Sequence, residues 1–165
     1  MVLGMSLATF TLVHVLISLV GLFAGLVVLF GMIGGKRLNG WTAVFLTFTV
    51  ATSVTGFFFP FTHLLPSHKI GIISLGILVF AIYARYMKHL AGPSRWIYVV
   101  TAILALYLNA FVAVFQSFEK VPALHAAAPT QSEPPFLIAQ IVVMGIFIVL
   151  GTFAVKKFPR NSRSY

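Results

Sequence analysis

The residues of this chain best suited to chemistry are five histidines and a few amides and carboxylates set among long apolar runs. His14 lies inside the first run, His63 and His68 flank Pro66, and His125 follows Pro122 in a proline-rich stretch. A membrane-embedded b-type haem is held by two imidazoles from different elements at similar depth. His14 with His63 or His68 meets that requirement for one haem, whereas His89 stands apart beside Lys88. A second arrangement binds Zn or Cu through His63, His68 and His125 with a carboxylate from Glu119 or Glu133. The H-x4-H spacing is no metal signature, and solvated surface histidines account for the same three residues. His14 is different, because an ionisable side chain within a span is a functional suspect by default. Its structural alternative is a hydrogen bond to Asn109 or to a threonine that locks the helices together.

Other chemistry has less to stand on. There is no G-x-S-x-G, H-E-x-x-H, Walker loop or C-x-x-C-H motif, and the chain has no Asp and no Cys. Small-solute transport lacks its usual signs, since no span carries a buried acid and no inverted repeat is visible. Asn109, Gln116 and Gln140 are expected to point into the protein, because an unpaired amide in hydrocarbon is costly.

The elements that must position these residues follow from composition. The 165 residues are 60% hydrophobic and 8% charged, against about a quarter charged in a soluble domain. That excludes a water-facing globule, a disordered tail and a disulfide scaffold. The net charge of +9 sits in short clusters between apolar runs, the pattern of topology signals and not of a nucleic-acid-binding face. At 1.5 Å per residue a hydrocarbon core of about 30 Å takes about 20 residues. Five segments qualify, at 6–32, 41–59, 68–88, 96–118 and 136–155, in a single membrane domain covering 1–165. The third is the shortest between charges, and Arg85 and Lys88 are expected to snorkel to the interface.

With five spans and the N-terminus outside, the inner side collects Lys36, Arg37, Arg85, Lys88, Arg95, Lys156, Lys157, Arg160 and Arg163. Only Lys69 and Lys120 face out, a split of nine to two. Omitting the third span and inverting the chain gives eight to three, so segment length decides for five. The start has neither a basic n-region nor an A-x-A-like site, and the first helix is expected to insert as an uncleaved anchor. Both acids, Glu119 and Glu133, fall in an outer Pro-rich loop at 119–135. Most of the hydrogen-bonding side chains lie towards that side. Gly21 and Gly25 form a GxxxG pair, read here as close packing within the bundle, with a dimer face as the alternative.

Several stretches resemble small multi-pass inner-membrane proteins of alphaproteobacteria: His68 to Leu75 (HKIGIISL), Ala84-Arg-Tyr, His89-Leu-Ala-Gly, Ser94-Arg-Trp-Ile-Tyr and Leu106-Tyr-Leu-Asn. The loop strings Lys120-Val-Pro-Ala-Leu and Ala128 to Phe136 (APTQSEPPF) are the most specific, because neither hydrophobicity nor helix propensity demands them. The resemblance covers roughly the last two thirds of the chain. It implies a bacterial inner-membrane location and carries over no activity or catalytic residue. The expectation is therefore an all-α integral membrane protein of five helices, N-terminus outside and C-terminus cytoplasmic. Its function would be that of an accessory or interaction protein, meeting a membrane-protein partner or a second copy through an outer polar pocket or loop. The alternative is a redox protein holding one b-type haem or a quinone.

Overall fold

The computed structural model describes residues 2–60 and 66–159. Six α-helices account for most of them: α1 (Leu7–Ile33), α2 (Asn39–Thr55), α3 (Pro66–Ile82), α4 (Ser94–Lys120), α5 (Pro122–Ala127) and α6 (Pro134–Lys157). A 3-10 turn, Gly56–Phe58, extends α2, and a π turn, Tyr83–Met87, extends α3. No strand occurs among the described residues, and five helical segments are long and apolar enough to cross a membrane. These match the five segments expected from sequence, with ends shifted by at most two residues. The stretch read as a loop at 119–135 contains α5, which Pro122 opens at a position where a helix needs no N–H.

The helix limits have local causes. Ser6 caps α1 by accepting from the Thr9 amide at 3.1 Å. Gly35, in the left-handed region at φ +71°, turns the chain from α1 towards α2. The helices pack as a ring in the order α2, α1, α6, α4, α3, and α4 also reaches α1 and α2 across the middle. Tyr98, Val99, Ala102, Ala105 and Leu106 of α4 are accordingly buried.

Small side chains let the helices approach. Ala24, Ala81, Ala84, Ala102, Ala105 and Ala154 are all buried, whereas the outer surface carries Leu16, Phe23, Phe80, Ile141 and Ile148. An exterior as apolar as the interior leaves close packing and interhelical hydrogen bonds to hold the bundle when lipid surrounds it. Gly21 faces the backbone of Phe48 and Thr49, and Gly25 faces Phe45 and Leu106. The GxxxG pair is thus spent inside the bundle. A Ser53–Ser74 hydroxyl contact of 3.3 Å joins α2 to α3.

The two ends of the bundle differ. The end holding the N-terminus and α5, the cap end, contains both acids of the chain. The opposite end, where α1 turns into α2 and α3 into α4, is the arginine end.

Candidate functional site

At the cap end, α1 and the end of α2 place His14 against Thr55, with 2.8 Å between Nδ1 and Oγ1. The Thr55 hydroxyl donates its proton to the Ala51 carbonyl at 2.7 Å, so it accepts from His14 Nδ1–H. In the neutral ring this assignment leaves the lone pair on Nε2. Phe59 closes one side, edge-on to the imidazole at a centroid distance of 5.1 Å, and Phe10 meets Phe59 edge-on at 4.9 Å. Of the two partners expected for a structural His14, the structure selects the threonine.

One turn below, the Ser18 hydroxyl donates to the His14 carbonyl at 2.8 Å. Asn109 Nδ2 reaches the Ser18 carbonyl at 3.4 Å, joining α4 to α1. Gln140 is buried, and its Nε2 donates to the Phe111 carbonyl at 3.2 Å, joining α6 to α4. Its Oε1 is buried without a partner among the described residues. Both amides point inward, as their desolvation cost requires. Gln116 is half-buried on α4. These side chains are distributed along the helix seams and form staples more than a single pocket.

The cap itself is folded. Phe118, Ala128 and Phe136 form a small buried cluster beneath α5, and Gln131 Nε2 donates to the Phe115 carbonyl at 3.3 Å. Glu133 folds back on its own turn: Oε1 accepts from the Thr130 amide at 3.1 Å and hydroxyl at 2.8 Å, and Oε2 from the Ser132 amide at 3.1 Å. Desolvation opposes ionisation there, but these hydrogen bonds outweigh it and hold the carboxyl below its ordinary value of 4.5. A depressed carboxylate stabilises the turn above its unfolded pKa and loses that contribution as pH falls through the folded value. Protection of the Thr130 and Ser132 amides, taken relative to intrinsic exchange at each pH, is therefore expected to fall as the pH is lowered through the folded value, which lies below 4.5. Glu133→Gln should show low protection at every pH, and wild-type protection that does not change with acid would contradict this role.

The remaining histidines do not assemble. His68 is buried against Phe57, with ring centroids 5.6 Å apart, which corrects its reading as a solvated surface residue. The aromatic end of α2 covers it, and the sequence around it does not show that. His125 is exposed on α5, and Glu119 is exposed at the end of α4. His63 lies outside the described residues. Among the described residues no three histidine or carboxylate side chains converge, so the Zn or Cu set is not formed from His68, His125, Glu119 and Glu133.

The arginine end holds the residue that sequence reasoning misplaced. Arg85 does not snorkel out; it is 7% exposed. The π turn Tyr83–Met87 inserts an extra residue per turn and redirects this side chain inward. Its Nη2 donates to the Asn39 side-chain oxygen at 2.7 Å and the Arg37 carbonyl at 3.0 Å. The guanidinium lies 4.9 Å from the centre of the fully buried Tyr98 ring, whose hydroxyl is 3.5 Å from Thr42 Oγ1. Its Nη1 is buried and unpartnered among the described residues. The usable signal was the position of the acids: with both in 119–135, no carboxylate side chain can reach Arg85. Arg95 closes the same end by donating to the Val155 and Phe158 carbonyls, at 3.1 and 2.6 Å, at the C-terminus of α6 where a cation is favoured.

Comparison with protein-family models, curated proteins and solved structures returned no match to the chain.

Proposed function

We propose that this chain is a five-span accessory protein of a bacterial inner membrane, with its N-terminus and cap outside and its arginine end in the cytoplasm. The cationic residues of the arginine end support that orientation, and the stretches similar to alphaproteobacterial inner-membrane proteins support the location. The cap carries the functional reading. It is a pinned ledge, held by the Phe118–Ala128–Phe136 cluster and the Glu133 turn, that leaves Glu119, Val121 and His125 exposed. A surface already ordered binds a partner without the cost of ordering a loop.

A photo-crosslinking residue at position 121 or 125, in cells of the native host, tests this together with a reporter fused after Tyr165. The same discrete adduct from both cap positions, missing from a probe at Ile146, is expected, with the reporter active only in its cytoplasmic form. Equal labelling from Ile146, no adduct from the cap, or a periplasmic reporter would overturn the reading.

One observation favours the redox alternative. A metal-ligating histidine commonly donates its other N–H to an acceptor that fixes the ring, and His14 does so to Thr55. Purified protein prepared with haem available should then show a Soret band that His14→Phe removes. A featureless spectrum of folded protein would reject that alternative.

A further inference from the structure

A groove of about 510 Å³ runs between α4 and α6 on the outer face of the bundle. Ile103, Leu104, Tyr107, Met144 and Gly151 line it, and Lys156 stands at one end. Gly151 keeps it deep: a Cβ there would stand 3.4 Å from Ile103 Cγ2, and any longer side chain would project into the space. From Met144 to Lys156 is roughly 18 Å along α6 at 1.5 Å per residue. That is close to the depth of one leaflet, half of a core of about 30 Å.

We infer that this groove holds one acyl chain of an anionic phospholipid, with the headgroup phosphate at Lys156. Three features select this occupant. The lining is apolar along its length, which suits a hydrocarbon chain. The one charged lining residue lies at the interfacial end and is a cation, which is how basic pockets between membrane helices take anionic headgroups. Lys157 and Arg95 lie at the same end, Arg95 through its bonds to the last carbonyls of α6. A second copy in the same orientation would bring its own cations against these, because both acids of the chain are at the opposite end.

The test uses the full chain, delipidated in a non-ionic detergent, with native mass spectrometry and thermal unfolding as readouts. Dioleoyl phosphatidylglycerol should bind at one molecule per chain and raise the midpoint more than dioleoyl phosphatidylcholine does. Lys156→Gln, at an exposed position, should weaken phosphatidylglycerol binding about fivefold and leave phosphatidylcholine unchanged. Leu104→Trp, which fills the groove from its exposed side, should remove binding of both lipids. Equal affinity for the two lipids, or a preference that survives Lys156→Gln, would overturn the headgroup assignment. A shift reproduced by inorganic phosphate or glycerol phosphate would show a soluble ligand and overturn the acyl-chain assignment. A dimer in which Leu104 is shielded from labelling would assign the groove to a second copy instead.

Discussion

Replacing Gly25 with leucine is expected to unfold the bundle at its most crowded crossing, where α1, α2 and α4 meet. A Cβ at this position would overlap Leu106 Cδ1 and stand 2.8 and 2.9 Å from Cδ2 and Cε2 of the Phe45 ring. Neither neighbour has anywhere to go, since Phe45 and Leu106 are each 1% exposed. Overpacking a well-filled core costs about 1–3 kcal/mol for small insertions, and a whole leucine side chain belongs at or above the top of that range. The gain in helix propensity over glycine, at most about 1 kcal/mol, does not offset it. Gly145 is the control, because a Cβ there meets nothing within 4 Å. Titration with a denaturing detergent, followed by circular dichroism, should show Gly25→Leu losing structure far earlier than Gly145→Leu. Equal midpoints would mean the crossing can relax. A variant that stays folded but changes oligomeric state would return the GxxxG pair to the role of a dimer face.

The five spans were legible because length and apolarity are local properties that tertiary packing does not override. The inward direction of Asn109 and Gln140 was legible for a similar reason: an amide in an apolar helix has only the bundle interior to satisfy it. For His14 the sequence left Asn109 and a threonine open as partners, and the structure has Thr55. Which threonine it meets depends on the register of α1 against α2, and no single-helix pattern encodes that. Arg85 was misread because snorkelling assumes a regular helix, while the π turn rotates the side chain to the interior. His68 was misread because its cover, Phe57, comes from another helix. The short α5 was hidden by the four prolines of 119–135, although one of them, Pro122, sits where a helix can begin.

The same redirection of Arg85 makes the sharpest demand on charge at the arginine end. Arg85→Glu is expected to be the most damaging, because a carboxylate there would face the Arg37 carbonyl and the Tyr98 ring, with a turned Asn39 amide as the one neighbouring donor in place of the guanidinium. An uncompensated buried charge of this kind costs several kcal/mol. Arg85→Lys keeps the charge but not the planar group beside Tyr98, and its shorter reach is expected to lose one of the two charge-assisted hydrogen bonds that Nη2 makes, at about 2 kcal/mol. Arg85→Met is the informative substitution. It gives up both bonds and the ring contact, the last worth about 2 kcal/mol when desolvated. It also removes a buried cation and the unpartnered Nη1, and the Asn39 oxygen it leaves is exposed to water, so the relief of desolvation is expected nearly to offset the lost contacts. The expected order of thermal midpoints in one detergent is therefore wild type close to Met, then Lys, then Glu far below. If methionine proves as damaging as glutamate, the two Nη2 bonds and the ring contact are worth more than the desolvation they carry, and Arg85 is a keystone of the α1–α2 turn. If methionine matches the wild type, stability does not explain a buried arginine at this position, and the Tyr98–Arg85–Asn39 cluster becomes the place to look for an anionic partner group.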